Sequence, residues 1–231
     1  MSENKREEAV DSHATKDAAG VDVLARSDSK AGITLSDADV DYVGEVLEQK
    51  LAEGLSDHDI AVVQRQLGRF PRGMVAVGAR CVCGNPLAVI TRPLVEGRIP
   101  FPTTCYLTSL EAVKAVSRLE AAGAMVEYTR QVQEDEAMHA AYERSHAMYL
   151  EFRRQLADRL GDEETHILGV SAGGMPVRVK CLHALVGHAL VMGKGVNPVG
   201  DEVLQAISSE FSPSVCRCSI TVNESEGSGN E

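Results

Sequence analysis

The sequence predicts an α+β fold that is mostly helical, with a small antiparallel sheet of three or four short strands. Hydrophobic residues recur at helical spacing over most of residues 36–208. Two β-prone runs flank the turn-forming residues Gly84, Asn85 and Pro86, as expected of a hairpin. The predicted strands are grouped together and do not alternate with helices, which favours an α+β class over a doubly wound sheet.

The N-terminal part predicts a tail followed by two capped helices. Residues 1–35 are polar and lack apolar periodicity, which predicts a disordered segment. Ser36 is a typical N-cap for the helix that follows it. Ser56 and Asp59 have the spacing of a capping box, with aspartate in place of glutamate, and Gly68 is placed to end that second helix.

The middle of the chain predicts the sheet. Residues 74–83 and 87–91 are the two strands of the hairpin, and residues 104–107 predict a third strand. Three strands with one covered face are enough for a stable small sheet.

The C-terminal half predicts helices. Ser109 begins one that Gly123 ends, residues 125–133 form a short one, and residues 135–160 form a long one. Residues 167–170 predict a strand, Pro176 opens a helix that runs to about residue 192, and a last helix starts near Asp201. Residues 36–208 are thus predicted to form one globular domain, followed by a disordered acidic tail over residues 209–231.

Composition excludes several classes of function. A formal net charge of −11 argues against nucleic-acid binding, which needs a positive surface. No apolar run approaches the roughly 20 residues that span a membrane, and the polar N-terminus lacks a secretory core, so we expect a cytoplasmic protein. In that compartment the six cysteines are expected to be thiols or metal ligands.

Several short motifs together are similar to those of one known family. They are Gln66-Leu67-Gly68-Arg69 with Pro71-Arg72-Gly73, Arg80-Cys81-Val82-Cys83-Gly84, Pro100-Phe101-Pro102-Thr103, Tyr106-Leu107-Thr108, Ser117-Arg118-Leu119-Glu120, and the stretch from Ser171 to His188 that continues into Gly195-Val196-Asn197-Pro198. Over about residues 57–207 the chain resembles the bacterial, mainly actinobacterial, domain-of-unknown-function family 501. The resemblance implies a small cytosolic protein without an established activity or catalytic assignment. Genes of the family often lie near those for a septum-formation protein and an exopolyphosphatase.

The glycine pair before Pro176 predicts an anion site. A helix N-terminus presents unpaired N–H groups and a positive dipole end, and glycines before it let an anion approach. The alternative is a tight turn with proline at the first helical position. The predicted anion-binding residues are Gly173, Gly174, Arg178, Lys180 and Arg80.

Three side chains of the same predicted helix are candidate catalytic residues. Cationic neighbours lower the pKa of a thiol, which makes Cys181 a candidate nucleophile. His183 or His188 would then act as an acid or base. The alternative is a buried, inert thiol with histidines that serve the structure.

Zinc is a further alternative. The thiol and imidazoles of the predicted helix are too far apart along its axis for more than one to reach the same ion. Cys81 and Cys83 would supply further ligands, since alternate residues of a strand share a face. A second pair, Cys216 and Cys218, lies in the predicted tail.

The long helix carries a stripe of hydrogen-bonding side chains at spacings of three and four residues. The stripe consists of His139, Tyr142, His146, Tyr149 and Arg153. It predicts either a polar network between helices or polar side chains at the edge of the core.

The leading hypothesis is a cytosolic protein that binds a small phosphate- or carboxylate-bearing ligand at residues 173–180. A non-catalytic adaptor for a protein partner, linked to cell division, and a Cys/His metal-binding protein are the alternatives. Whether the protein is an enzyme stays open.

Overall fold

A computed structural model describes residues 33–220, and these contain seven α-helices and five short strands, in agreement with the predicted α+β class. Within this part of the chain, no helix has the length and apolar character needed to cross a lipid bilayer. Residues 1–32 of the tail predicted over residues 1–35, and residues 221–231 of the tail predicted over residues 209–231, lie outside the described residues.

Two capped helices come first, as predicted. Helix α1 (Asp37–Ala52) begins at Ser36 and helix α2 (Asp57–Leu67) begins at Ser56, each with a reciprocal capping box to the aspartate three residues on. Gly68, with φ of 67°, ends α2 in the left-handed conformation that glycine adopts without strain.

The predicted three-stranded antiparallel sheet is present. Strand β1 (Met74–Arg80) pairs with β2 (Pro86–Thr91), and β2 pairs with β5 (Cys105–Leu107). Between β2 and β5, β3 (Leu94–Val95) and β4 (Ile99–Pro100) form a separate two-stranded ribbon.

Five helices complete the domain. They are α3 (Leu110–Ala121), α4 (Ala124–Glu134), α5 (Glu136–Leu160), α6 (Leu182–Met192) and α7 (Pro198–Ala206). Helix α6 is the central one, packed between the sheet and α7. Two glycines allow this close packing. A Cβ added at Gly187 would lie 2.8 Å from the Cys105 carbonyl oxygen, and one added at Gly200 would lie 2.5 Å from the Leu185 carbonyl oxygen.

Three predicted boundaries in the C-terminal half are wrong. Pro176 does not open a helix, because α6 begins only at Leu182. Residues 167–170 form no strand, since Ile167 ends a short 3-10 helix, Thr165–Ile167, and residues 168–170 follow it without regular structure. The last helix begins at Pro198, where Asn197 caps it through the backbone N–H of Gly200.

The ordered chain also extends beyond the predicted domain end at residue 208. Residues 211–220 return to the β1–β2 hairpin, with Phe211 buried in the core. The Val82 N–H donates to the Pro213 carbonyl at 3.1 Å, and the Asn85 side chain donates to the Ile220 carbonyl at 2.7 Å. This segment lacks apolar periodicity, so its position depends on contacts with residues far away in the sequence.

Candidate metal centre and thiol cleft

The β1–β2 turn presents two thiols on one side. Cys81 and Cys83 follow the end of β1, in the turn rather than in a strand as predicted. The turn is closed by hydrogen bonds from the Cys81 N–H to the Asn85 carbonyl and from the Gly84 N–H to the Cys81 carbonyl, at 2.9 and 2.8 Å. Gly84 has φ of 93°, which only glycine adopts readily.

The C-terminal segment brings two more thiols to this turn. The sulfur atoms of Cys81, Cys83, Cys216 and Cys218 all lie within 4.8 Å of one another. The Sγ atoms of Cys83 and Cys218, 135 residues apart in sequence, are separated by 3.7 Å. A disulfide has sulfur atoms about 2.05 Å apart, whereas two thiolates on one tetrahedral zinc are about 3.8 Å apart, given Zn–S bonds of about 2.3 Å. All four cysteines are free thiols, and the spacing matches a shared metal.

The ionisation of these thiols is strongly linked to their surroundings. Burial raises the pKa of Cys81 and Cys218. At Cys83 burial is outweighed by a hydrogen bond with the Asn85 backbone and by the neighbouring thiols, which lower its pKa to about 7. Cys83 is therefore the most readily ionised of these three thiols, and a bound cation would favour ionisation of the other two at neutral pH.

Besides its hydrogen bonds with Val82 and Asn85, a second set of contacts holds the C-terminal segment beside the turn. The Ser219 N–H and hydroxyl both donate to Glu111 Oε1, at 2.8 and 2.6 Å. The Arg217 side chain donates to the Ser209 carbonyl, and Glu210 pairs with Arg118 of α3. The four thiols are thus held by two backbone segments that are themselves anchored.

The Ser171–Cys181 stretch folds as a loop and not as the start of a helix. Gly173 and Gly174 have φ of 72° and 95°. An added Cβ would lie 2.5 Å from a methyl carbon of Leu185 at Gly173 and 2.5 Å from the Arg178 carbonyl oxygen at Gly174. The loop closes on itself through the Lys180 N–H, which donates to the Gly173 carbonyl at 2.7 Å. The predicted dipole site at Pro176 is therefore wrong, because no helix begins there.

The predicted anion residues lie in two places. Gly173, Gly174, Arg178 and Lys180 line one open cleft. Arg178 and Lys180 are exposed, make no ion pair in the described part of the chain, and are the charged residues of its lining. Arg80 does not join them, since its guanidinium pairs with Asp59 at 2.5 and 3.1 Å. We call the cleft that contains Arg178 and Lys180 the thiol cleft. It is lined by Thr103, Thr129, Gln133 and most of residues 169–181, including Cys181.

Cys181 is the N-cap of α6, and His183 lies beside it. The Cys181 sulfur is 4.0 Å from His183 Nδ1, which is 3.2 Å from Glu120 Oε1. His183 Nε2 is 3.2 Å from the Val113 carbonyl oxygen and 3.1 Å from Ser117 Oγ. Hydrogen bonding with Cys181, together with the Glu120 carboxylate, overcomes burial and raises the pKa of His183 to about 9. The same hydrogen bond lowers the pKa of Cys181 against the effect of burial.

His188 is separate from this group. It is fully buried, its Nδ1 is 3.1 Å from Asn197 Nδ2, and its ring meets the edge of Tyr149 with centroids 5.0 Å apart. Burial lowers the pKa of His188 to about 3, so the ring is neutral. Its Nε2 has no hydrogen-bond partner among the described residues. His188 does not line the thiol cleft and instead supports Asn197, the cap of α7.

The polar stripe of α5 holds the loops around the cleft. Tyr149 accepts a hydrogen bond from the Thr104 N–H at 2.6 Å and donates to the Pro102 carbonyl at 2.8 Å. Arg153 is buried, pairs with Glu164 at 2.8 Å, and donates to the Ile167 and Val170 carbonyls.

The next part of the stripe continues towards Cys181. His146 Nδ1 is 2.8 Å from Ser171 Oγ, and the Tyr142 hydroxyl donates to the Arg178 carbonyl at 3.3 Å. His139 lies at the exposed end, near Glu143, and its Nδ1 is 3.1 Å from the Val132 carbonyl oxygen of α4. All five stripe residues therefore connect α5 to other elements as a polar network.

Sequence reasoning missed three residues of these sites. The sequence places Cys216 and Cys218 in a predicted tail, although two C-x-C pairs in one chain match the number of thiols that a tetrahedral zinc site needs. Glu120 lies on α3, 61 residues before Cys181, and no sequence pattern connects the two.

Comparisons with known proteins give a family but no activity. A family model described as "Protein of unknown function (DUF501)" matches residues 77–205, more than half of the chain. No curated protein and no solved structure matches the chain. The matched region ends before Cys216 and Cys218, so the family model includes only half of the thiol cluster.

Proposed function

We propose that this chain, which belongs to the DUF501 family, is a zinc-binding protein whose four thiolates join the β1–β2 turn to the C-terminal segment. The observation that carries the proposal is the approach of four free cysteine sulfurs to within 4.8 Å of one another. Isolated thiols pack singly in cores, whereas four thiols from two distant segments rarely converge without a common ligand.

The donor set indicates the kind of metal. Four soft sulfur ligands favour zinc or an iron–sulfur cluster over magnesium or calcium, which take oxygen ligands. Four protein ligands complete a tetrahedron and leave no open position for substrate, as in structural zinc sites. The role supported here is therefore to stabilise the position of residues 211–220 and not to bind a reacting molecule.

Metal analysis of the purified full chain tests the proposal. We expect one zinc per chain, and loss of most of it in Cys83→Ser and Cys218→Ser. Cys181→Ser is the matched control, because it removes a partly buried thiol outside the cluster and should keep its zinc. Absence of metal from a protein purified under reducing conditions, or full zinc in Cys83→Ser, would refute it. Detection of iron together with absorption of visible light would show that the four cysteines hold an iron–sulfur cluster instead of zinc.

A second candidate function is binding of a small anion in the thiol cleft. This candidate is supported by Arg178 and Lys180, two exposed cations without an ion-pair partner in the described residues. The described lining of the cleft contains no carboxylate. Phosphate should raise the melting temperature more than chloride at equal ionic strength, and Arg178→Ala should lose most of that difference. An equal response in both proteins would contradict it. The adaptor hypothesis and its link to cell division stay predictions, since no contact in the described residues favours them.

A further inference from the structure

We propose that Cys181, positioned by His183 and Glu120, is a nucleophilic thiol that reacts with small electrophiles carrying a carboxylate or phosphate group. The choice of an anionic electrophile rests on the second candidate function above, and the reactivity of the thiol does not. Nothing in this proposal depends on the four-cysteine cluster, which shares no residue with the lining of the thiol cleft.

The first support is the order of contacts behind the thiol. A carbonyl oxygen only accepts hydrogen bonds, so the contact of His183 Nε2 with the Val113 carbonyl requires a proton on Nε2. Nδ1 then faces the Glu120 carboxylate at 3.2 Å and the Cys181 sulfur at 4.0 Å. A proton on Nδ1 satisfies both of these neighbours, which gives an imidazolium beside a thiolate, the usual arrangement of an activated cysteine.

The second support is the fixed position of Glu120. Its Oε1 accepts the Leu182 N–H at 2.6 Å, so the carboxylate is bound to the first residue of α6. This hydrogen bond connects α3 directly to the N-terminus of α6. Glu120 touches the imidazole and not the cleft, so we regard it as a positioning residue.

The third support is access. Cys181 is partly exposed and lines the thiol cleft together with Arg178 and Lys180. His183 is not part of this lining and contacts α3 instead. A reagent in the cleft can therefore approach Cys181 while His183 keeps its contacts with α3. Cys105 offers a contrast, since it is fully buried and its burial raises its pKa.

The covalent step is balanced without another reactant. The thiolate electron pair forms a sulfur–carbon bond, the bond between that carbon and the leaving group breaks, and the leaving group departs with its electron pair. His183 keeps its proton, or transfers it to a basic leaving group. With iodoacetamide or iodoacetate as the probe, the product is an S-alkylated Cys181 and free iodide.

The test is alkylation of the metal-loaded full chain at pH 7, with the modified residues assigned by peptide mass spectrometry. With neutral iodoacetamide, Cys181 should react first and Cys105 should stay unmodified. In His183→Gln the thiol returns towards an ordinary pKa of about 8.5, at which about 3% is ionised at pH 7. The loss of thiolate is partly offset by higher intrinsic nucleophilicity, so the rate at Cys181 should fall about threefold or more.

One control variant and one second test variant keep the outcomes distinct. His58→Gln, on α2, changes a histidine that lies outside the cleft lining and should leave the rate unchanged. Glu120→Gln keeps the shape of the positioning residue and should also slow the reaction, which gives a second variant if His183→Gln fails to fold. A Cys181 rate equal in wild type, His183→Gln and Glu120→Gln overturns the proposal. Zinc that is lost in Cys181→Ser but kept in Cys83→Ser also overturns it, because Cys181 would then be a metal ligand.

The anionic preference is tested by the ratio of iodoacetate to iodoacetamide rates. Wild type should show a higher ratio than Arg178→Ala, whereas Arg154→Ala, the same charge change outside the cleft, should match wild type. An unchanged ratio with retained iodoacetamide reactivity would remove the anionic substrate class and the anion-binding function together, and leave the nucleophile. If the Cys181 rate does not depend on His183 but the ratio still depends on Arg178, the nucleophile is removed and the anion-binding function is kept.

Discussion

Replacing Cys218 by serine should release residues 211–220 from the hairpin while the rest of the fold remains. The substitution removes one of four thiolates and changes no residue of the sheet or of α1–α7. We expect the same release when a strong chelator removes the metal from the wild-type chain.

The magnitude follows from the contacts of the segment. Fixing the backbone of ten residues costs about 10–20 kcal/mol. Burial of Phe211 returns about 2–3 kcal/mol, and the hydrogen bonds to Val82, Asn85 and Glu111 return about 1 kcal/mol each. Binding of a structural zinc contributes about 10–16 kcal/mol. With the zinc included, the stabilising contributions match the entropy cost of ordering the segment to within a few kcal/mol. Without the metal, the segment is therefore expected to detach.

Hydrogen exchange measures this directly, because two amides report on the segment. The Val82 N–H is bonded to Pro213 and the Ser219 N–H to Glu111, so both should lose protection in Cys218→Ser. The Thr91 N–H, bonded to the Thr104 carbonyl within the sheet region, should stay protected and is the internal control. Val82 that stays as protected in the metal-free protein as in the loaded one would refute the reasoning.

Two further predictions concern α6 and its surroundings. Gly187→Ala should lower the melting temperature, because the new Cβ would lie 2.8 Å from a backbone oxygen of β5 and overpacking costs about 1–3 kcal/mol. The control is Gly44→Ala on α1, whose Cβ would meet only the movable Gln155 side chain, so this variant should be neutral or stabilising. Equal melting temperatures for the two variants would contradict this prediction. The His183 imidazole should titrate by NMR with a midpoint of about 9, and Glu120→Gln should lower that midpoint. Because the folded pKa is raised, the stabilisation linked to the His183 charge is fully present below about pH 6.5 and disappears as the pH rises through about 9; a midpoint near 6.5 would show that the ion pair is absent.

Local signals were sufficient for much of the fold. Ser36 and Ser56 cap helices as predicted because a capping box is complete within four residues of sequence. The β1–β2 hairpin likewise follows from its own turn residues. Local contacts thus identified these elements, although two local boundaries were predicted wrongly: β1 ends at Arg80, and Asn197 caps α7 at Pro198.

The errors occur where distant contacts decide. Gly173 and Pro176 suit a helix start, but the loop turns back because Gly173 packs against Leu185. The C-terminal segment has the composition of a tail, and its position follows from distant contacts, which include the convergence of Cys216 and Cys218 with the β1–β2 turn. Cys181 and His183 were identified from their chemistry, whereas Glu120 could be found only in three dimensions.

The attachment of both cleft walls to α5 has a consequence for ligand binding. Tyr149 fixes the residues on either side of Thr103, while His146 and Tyr142 fix the loop that carries Arg178. Both walls are therefore attached to one continuous helix and move with it as a unit. Such a cleft is preorganised, so an entering molecule loses little affinity to ordering the protein. Recognition then depends on shape and charge already in place, and association needs no closing motion.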